Sequence, residues 1–347
     1  MAYTTINKST DYFNTKLYTG TGSSQSVTGV GFQPDWTWIK QRNGTEQHVL
    51  FDAVRGVQKY IASNTTAAEA TTATTLTAFN SDGFTEGGHG MTGANGSPYA
   101  SWNWKAGGGQ GSSNTDGSIN TTYTSANTTA GFSISTYTGT GSAGTVGHGL
   151  GAIPEVVFVK QLNSTQHWMT YHKPLGNDAR LVLSTNNSAA TSSSYWNNTT
   201  PTSSTFSIGT NGDVNGSGNT YIAYCFAPKT GYSKFGNYVG NGQNNGTFIY
   251  TGFAPSFVLW KKADSSDSDN SWVIMDNKRS GDNQYAKALH PDLNNAESDY
   301  QNWFDIYSNG FKLRNGHNEL NRSGSSYIYM AFGQSLVGSN NVPCTAR

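Results

Sequence analysis

The chain carries the same series of sequence landmarks three times, and this repetition constrains its fold more than any other feature. Each repeat opens with a tyrosine-glycine segment, continues with an apolar run that ends in lysine, and closes with an aromatic-rich run. The opening segments are YTGTG at 18–22, YTGTG at 137–141 and YVGNG at 238–242, and the apolar runs are GFQPDWTWIK at 31–40, GAIPEVVFVK at 151–160 and GFAPSFVLWK at 252–261. Landmarks that recur in one order predict three related structural units produced by internal duplication.

The hydrophobic pattern within each repeat predicts β-strands. Apolar residues alternate with polar ones or form short runs, and turn dipeptides such as Asn43-Gly44 and Asn309-Gly310 separate these runs. Because sustained helical spacing is absent, only short helices are expected, near 64–70 or 290–298. Short strands between regular turns are typical of two-sheet antiparallel sandwiches. We therefore predict an all-β fold of three tandem antiparallel β-sandwich modules of the jelly-roll or concanavalin-like type.

The repeat boundaries predict the domain organisation. The first module is expected over residues 1–106, the second over 130–230, and the third, with a C-terminal tail, over 231–347. Residues 107–129 are rich in Gly, Ser, Thr and Asn, which predicts a flexible linker between the first two modules.

Alternation along the apolar runs predicts which side chains share one face of a strand. Trp36 and Trp38 lie on one face and Thr37 on the other. In the third repeat, Phe257 and Leu259 take the places of the two tryptophans. The lysines that end the three runs are expected to enter polar loops: Lys40, Lys160 and Lys261.

The composition excludes several classes of protein. Lys and Arg total 21, as do Asp and Glu, so no net charge is present to attract nucleic acid or an anionic membrane. No apolar run is long enough for a membrane-spanning helix, and the first residues lack the apolar core of a signal peptide. Aromatic residues make up 13% of the chain, far more than a disordered polar chain would contain. These observations predict a folded protein that neither binds nucleic acid nor inserts into a membrane.

Cysteine and histidine spacing indicates no cofactor. Cys225 lies in an apolar run and is expected to be a small buried hydrophobe, and whether it pairs with Cys344 is left open. His48 and His167 are expected at equivalent positions, and the remaining histidines are scattered. Since no zinc-binding spacing occurs, no metal cofactor other than calcium is considered.

One acidic loop is a weak candidate for calcium binding. Asp264, Asp267 and Asp269 lie close together, and carboxylate oxygens are ligands that calcium prefers. The other two repeats have no counterpart to this loop, so a solvated hairpin tip is the favoured interpretation.

The sequence contains no recognisable catalytic arrangement. Asp52 and Arg55, echoed by Asp276 and Arg279, are interpreted as salt bridges that close a turn rather than as catalytic pairs. Neither a nucleophile elbow nor a carboxylate pair of known spacing is found. We therefore predict no catalytic residues and no enzymatic activity.

Three aromatic residues in polar surroundings are candidates for carbohydrate binding. Tyr195 and Trp196 lie in SSYWNNT, and Trp303 lies in DYQNWFDIY. Aromatic rings beside Asn and Asp side chains provide stacking platforms for sugars. The alternative is that these rings close the ends of the modules as part of the core.

The repeated pattern resembles a domain found in virion proteins of marine tailed bacteriophages, the cyanophages and their relatives. The resemblance rests in the first repeat on residues 18–22, 32–40, 52–56, 82–84 and 99–108, and in the third on 252–261, 309–311 and 327–332. The C-terminal LVGSNNVPCTAR also looks like the end of such proteins. The second repeat departs most, because His172 and a Pro-Leu-Gly segment replace the Asp and Arg pair.

This resemblance implies a structural protein exposed on the surface of a phage particle and assembled in the host cytoplasm. Its partners would be other tail or capsid proteins, copies of itself, for example in a trimer, and a host surface glycan. A tail-fibre or receptor-binding component is the favoured role. The alternatives are a capsid decoration or head-fibre protein and a polysaccharide-degrading enzyme on a sandwich scaffold.

Overall fold

Antiparallel strands form where the alternating pattern predicts them in the computed structural model, which describes residues 4–265 and 269–338. The predicted all-β class is confirmed, because the helices in these two ranges are single turns. The 3₁₀ turns are Ser9–Asp11 and Lys173–Leu175, and the short α-helices are α1 (Gly90–Gly93), α2 (Ser193–Trp196), α3 (Gly212–Asn215) and α4 (Asn318–Asn321).

The helices expected near 64–70 and 290–298 do not form, so this prediction is wrong. Both segments lack helical structure, and each directs a backbone hydrogen bond to another repeat. The Glu69 amide donates to the Leu162 carbonyl, and the Glu297 amide donates to the Arg42 carbonyl. Tertiary contacts therefore outweigh local helix propensity at both places.

The first repeat forms two antiparallel sheets. Its strands are β1 (Phe13–Thr19), β2 (Gln25–Thr28), β3 (Trp36–Gln41), β4 (Val49–Asp52), β5 (Lys59–Ala62), β6 (Ala70–Thr71), β7 (Leu76–Asn80), β8 (Gly83–Glu86) and β9 (Pro98–Trp104). The larger sheet has the order β1-β9-β3-β4-β5-β6, and the smaller has the order β2-β8-β7.

The second repeat also forms two antiparallel sheets. Its strands are β10 (Thr121–Asn127), β11 (Phe132–Thr138), β12 (Gly144–Gly147), β13 (Val156–Gln161), β14 (Met169–His172), β15 (Ala179–Val182), β16 (Ala190–Thr191), β17 (Thr205–Ile208) and β18 (Thr220–Phe226). The larger sheet has the order β10-β11-β18-β13-β14-β15-β16, and β12 pairs with β17.

The third repeat contributes the last two sheets. Its strands are β19 (Ser233–Val239), β20 (Phe248–Tyr250), β21 (Ala254–Lys262), β22 (Val273–Asp276), β23 (Tyr285–Ala288), β24 (Ser298–Tyr307), β25 (Gly310–Leu313) and β26 (Ser326–Gln334). One sheet has the order β19-β26-β21-β22, and the other has the order β20-β25-β24-β23.

Residues 107–129, expected to be a flexible linker, contain the edge strand β10 and are attached to the first repeat. The buried Asp35 carboxylate accepts hydrogen bonds from the backbone amides of Ala106, Gly108 and Gly109, at 2.7–3.0 Å. Burial raises the pKa of Asp35, although these amide hydrogen bonds act against that shift. The start of this segment is therefore held by a side chain of the first repeat.

Each repeat has one sheet that contains β3, β13 or β21, and one face of this sheet contributes to a single buried apolar cluster, here called the central core. Trp36 and Trp38 belong to it, and Phe257 and Leu259 occupy the matching positions in the third repeat, as predicted. The Trp36 ring stacks on Tyr224 of the second repeat, with centroids 4.6 Å apart. The three repeats thus bury their aromatic faces against one another, where the gain from apolar burial is largest.

The opposite faces of these sheets line separate cores, one for each repeat. Ile39 belongs to the core of the first repeat, Val157 to that of the second and Trp260 to that of the third. Each core contains side chains from both sheets of its repeat. Alternation along one strand therefore assigns successive side chains to the central core and to the repeat's own core.

The lysines that end the apolar runs are buried, contrary to the expectation that they enter polar loops. The Lys160 ammonium donates to the Thr66 carbonyl of the first repeat, at 3.2 Å, and to two carbonyls of its own repeat. Lys261 likewise donates to the Asn186 carbonyl of the second repeat, at 3.3 Å. Burial lowers the pKa of Lys40 and of Lys160 to about 8. Around Lys160 and Lys261, backbone carbonyls from two repeats replace the water that would hydrate a lysine in a loop.

The repeated Asp and Arg pairs close turns through buried salt bridges, as predicted. Arg55 Nε lies 2.5 Å from Asp52 Oδ2, and Arg279 Nε lies 2.6 Å from Asp276 Oδ2. Each aspartate also accepts a hydrogen bond from the neighbouring repeat. Asp52 accepts from the Tyr224 hydroxyl at 2.8 Å, and the donor to Asp276 is the indole N–H of Trp102, at 3.0 Å.

The second repeat has His172 at the position of these aspartates. Across the repeat boundary it faces Met330, which holds in the third repeat the position that Tyr224 and Trp102 hold in the other two. The methionine side chain has no N–H or O–H to donate. His172 Nε2 lies 3.1 Å from the Tyr329 carbonyl oxygen, so this nitrogen carries the proton. Burial lowers the pKa of His172 to about 4, and the ring is neutral at pH 7.

The buried His172 predicts a loss of stability in acid. Because its pKa is lower in the folded chain than in the unfolded one, its contribution is complete above pH 6.5 and falls between pH 6.5 and 4, by up to about 3 kcal/mol. Urea unfolding of the wild type and of His172→Gln at pH 7, 5 and 4 measures this effect. The wild type is expected to lose more stability than the variant, and equal losses would contradict the assignment.

Candidate functional site

Exposed aromatic rings lie together on the β20-β25-β24-β23 sheet of the third repeat. Phe248 is 43% exposed, Tyr250 55% and Tyr307 41%, and we call these three residues the aromatic patch. Phe248 and Tyr307 are in edge-to-face contact, with ring centroids 5.9 Å apart. Rings of this size are normally buried, so their grouping in solvent marks an interaction surface.

The patch is specific to the third repeat. On β20, Ile249 points into the repeat's own core, whereas Phe248 and Tyr250 point to solvent. In each repeat, the inward residue of this strand pairs with a phenylalanine on the neighbouring strand. This shared pairing shows which residues of the three strands correspond. The outward positions hold small residues in the other repeats: Ser26 and Thr28 in the first, and Thr145 and Gly147 in the second.

Gly310 allows the rings to meet. It lies between Tyr250 and Tyr307 across three adjacent strands, opposite Tyr250 on one side and Tyr307 on the other. A Cβ atom at this position would lie 2.9 Å from Cζ of Phe248 and 2.2 Å from the Ile249 carbonyl oxygen. A larger residue would therefore push the rings apart.

A cleft of about 320 Å³ adjoins the patch, between β19 and β20. Lys234 lies at its edge, where its ammonium donates to the Tyr250 carbonyl at 2.7 Å and lies 5.2 Å from the centre of the Tyr250 ring. Asn237 adds an amide to the lining. Tyr329 adds a phenol, whose pKa burial raises to about 12, so it stays protonated at neutral pH. The cleft combines a flat ring with hydrogen-bond donors and acceptors.

A second, larger groove of about 630 Å³ is lined by the start of β21, the segment between β22 and β23, and single residues of β23, β24 and β26. Ile306 of β24 lines this groove, and the next residue along the strand, Tyr307, belongs to the aromatic patch. The Asn283 side chain pairs with both backbone groups of Ile306, at 3.0 Å each. The other polar side chains that line the groove are Ser256, Asn277, Asp282 and Gln334.

The three aromatic residues chosen from the sequence are buried, so the sugar-binding interpretation, which needs exposed rings, is wrong, and the rings belong to the cores as the alternative interpretation predicted. Tyr195 and Trp196 lie in the core of the second repeat, where Trp196 packs edge-to-face on Tyr171 at 5.9 Å. Trp303 is only 1% exposed because Tyr300 stacks on it, with centroids 4.0 Å apart. Their polar neighbours belong to α2 and the turn after it, and to β24, an inner strand of its sheet.

The candidate calcium loop is only partly described, because Asp267 lies outside the described residues. Asp264 accepts a hydrogen bond from the Ser326 amide at 2.8 Å, and Asp269 accepts one from the Asn318 side chain at 3.4 Å. Within residues 4–265 and 269–338, no three His, Cys, Asp or Glu side chains are grouped to hold a metal. Cys225 is buried, and Cys344, like Asp267, lies outside the described residues. Whether the two cysteines form a disulfide therefore stays open.

The signal that the sequence offered for the patch is the alternation in TFIYTG at 247–252. Two aromatic residues flank one isoleucine there, whereas SVT and TVG stand at the matching positions of the other repeats. Comparing the repeats position by position would have identified the patch.

Comparison with known proteins identifies a family but no activity. A family model described as a domain of unknown function, DUF7483, matches residues 8–335. No curated protein and no solved structure matches the chain. Among the described residues, no helix is long and apolar enough to cross a membrane.

Proposed function

We propose that this chain, which belongs to the DUF7483 family, is a non-enzymatic structural protein of a bacteriophage virion that contacts host surface glycans through the aromatic patch of its third repeat. The virion assignment comes from the sequence resemblance. The site assignment is supported by the aromatic patch, which is the one observation that carries the binding role. A tail-fibre or receptor-binding component fits both the virion assignment and the glycan-binding site.

The proposal includes an architecture of three tandem β-sandwich modules. Two antiparallel sheets in each repeat, with a buried apolar cluster formed by side chains of both, support it. In this arrangement the first two modules serve mainly as a scaffold, because their outward positions on the strands matching β20 are small and polar. The third module presents the binding surface.

The chemistry of the patch favours a saccharide ligand. Sugar rings present apolar C–H faces that stack on aromatic rings, and their hydroxyl groups require nearby donors and acceptors. Phe248, Tyr250 and Tyr307 supply the rings, while Lys234 and Asn237 line the adjoining cleft. Both surface depressions are of a size suited to one or a few sugar units.

Binding to immobilised bacterial surface polysaccharides tests the proposal. Tyr250→Ala removes a stacking ring and is expected to weaken binding about tenfold, which corresponds to about 1.4 kcal/mol. Because Tyr250 is exposed, the melting temperature should change little. Ile153→Ala is the matched control, since Ile153 is an exposed apolar residue of the second repeat.

Equal binding by Tyr250→Ala and the wild type, or binding by neither to any polysaccharide, would contradict the glycan-binding role. Immunogold labelling of phage particles tests the virion role separately. Antibodies against this chain are expected to label the tail, whereas labelling of the shell would favour capsid decoration. Particles without label would overturn the virion assignment.

A further inference from the structure

Three side chains with the chemistry to form an amide bond are buried together beside the connection between β21 and β22. Lys261 lies near the end of β21, Asn270 shortly precedes β22, and Asp292 follows β23. All three are buried, Lys261 and Asn270 completely. A buried amine, carboxamide and carboxylic acid have no evident role in the glycan-binding surface.

The amine of Lys261 and the carboxamide of Asn270 meet at one carbonyl. Lys261 Nζ lies 3.3 Å from the Asn186 carbonyl oxygen, and Asn270 Nδ2 lies 2.8 Å from the same atom. The Asp292 carboxyl is beside them, because its Oδ1 accepts from the Trp272 amide at 3.1 Å, two residues after Asn270.

Two buried oxygens of this cluster have hydrogen-bonding capacity that the described residues leave unused. Asn270 Oδ1 and Asp292 Oδ2 are both buried and accept no hydrogen bond from the described residues. Burial raises the pKa of Asp292 to about 6, so its protonated form is far easier to reach near neutral pH than that of an ordinary aspartate. A protonated Asp292 can donate to a carboxamide oxygen and make its carbon more electrophilic.

We propose that Lys261 and Asn270 join through an intramolecular amide bond, with Asp292 as the acid that promotes the reaction. The uncharged Nζ attacks Cγ of Asn270 to form the new C–N bond, and the bond from Cγ to Nδ2 breaks. Asp292 passes the proton that Nζ loses to the departing Nδ2, which leaves as ammonia. One amine and one primary amide give one secondary amide and ammonia, so the reaction needs no oxidant or other reactant.

The third repeat alone combines the necessary groups. Trp272 aligns with His48 and Trp168, so the positions that match Asn270 are Glu46 and Gln166. Neither matching position is an asparagine, although Lys40 and Lys160 are buried like Lys261. The bond would close the loop between β21 and β22, which contains Asp264 and Asp269.

Mass spectrometry of the purified full-length chain tests the proposal directly. The intact wild type is expected to be lighter than its sequence by one ammonia. Trypsin should release peptide 235–262 joined to peptide 263–278, because the acylated Lys261 is no longer cleaved. Asn-Gly segments can also lose ammonia by forming succinimides, but hydroxylamine cleaves those and leaves the Lys261–Asn270 amide intact.

Matched variants identify the participating residues. Lys261→Arg is expected to restore the full sequence mass, and Asp292→Asn should do the same. Lys160→Arg changes the equivalent lysine of the second repeat and should keep the lighter mass. A wild type with the full sequence mass, or an ammonia loss that persists in Lys261→Arg, would overturn the proposal, and the wild-type digest decides the matter even where a variant fails to fold. A loss that persists in Asp292→Asn would remove Asp292 from the reaction.

Discussion

Trp36→Ala is expected to lower the free energy of unfolding by about 3–5 kcal/mol, because truncating a buried indole removes apolar contacts and leaves a cavity. Trp36 lies within 6 Å, between ring centroids, of Trp38 and Trp104 in its own repeat and of Tyr224 and Phe226 in the second. The cavity therefore opens at a boundary between repeats and cannot be filled by one of them alone. Urea unfolding measures the change.

The conservative variant separates ring loss from other effects. Trp36→Phe keeps an aromatic ring in the central core and should cost less than half as much as Trp36→Ala. The second repeat should also be affected, so amide exchange in β18 is expected to accelerate in Trp36→Ala. Protection of β18 that remains unchanged would show that the repeats do not depend on one another for stability.

Arg279→Ala is the second change with a large expected effect, also about 3–5 kcal/mol, because it leaves the Asp276 carboxylate buried without its partner. Asp276 and Arg279 are both buried, and the guanidinium also bonds to Glu297 and to the Ile274 carbonyl. Urea unfolding at pH 7 gives the magnitude. Lys287→Ala is the control, since its partner Asp299 is exposed and such pairs contribute at most about 1 kcal/mol.

The effect of Arg279→Ala should depend on pH in a defined direction. In the wild type, burial alone would raise the pKa of Asp276, but Arg279 and the hydrogen bonds to the carboxylate lower it below its usual value. Asp276 therefore stabilises the wild type above pH 3.8, and this contribution is lost as the pH falls further. Without Arg279 the pKa of Asp276 rises, so the variant recovers stability relative to the wild type as the pH falls. A difference that stays constant from pH 7 to pH 4 would show that Asp276 is not the cause.

The repeated landmarks predicted the strands well because each landmark has a specific packing role. The opening tyrosine of each repeat and the tyrosine that begins its closing strand stack on each other, and their hydroxyls bond to the backbone of a short helix. In the first repeat, Tyr18 and Tyr99 are 5.2 Å apart and donate to the carbonyls of Thr92 and Gly90. Residues that make the same contact within every repeat recur at regular intervals, so the sequence alone reveals them.

Contacts between repeats were harder to predict, because no local pattern encodes them. Lys160 lies near the end of β13 and is followed by the polar Gln161, yet carbonyls of two repeats surround it. Strand pairing, which no local pattern encodes, also explains why the predicted counterpart of His48 in the second repeat is wrong by one residue. The sequence aligns His48 with His167, but strand pairing aligns it with Trp168, since Val49 pairs with Ala62 as Met169 pairs with Val182. A shift of one residue reverses the side chain's direction.

The candidate site was missed because exposure depends on what covers a ring. Trp303 has polar neighbours and is covered by Tyr300, whereas Phe248 has a similar setting and no cover. Composition near a residue does not distinguish these cases. Only the comparison of Phe248 with Ser26 and Thr145, its counterparts, reveals the departure.

The central core also determines when the chain can finish folding during synthesis. Phe13 stacks on Phe332 at 5.3 Å, and the Ser9 amide donates to the Gln334 side chain at 2.7 Å, so residues from the first and last strands close the same structure. A ribosome that has released only two repeats holds a nascent chain with a wide aromatic surface open to solvent. Such a surface is prone to aggregation, and chaperones that cover it until β26 emerges would favour correct assembly.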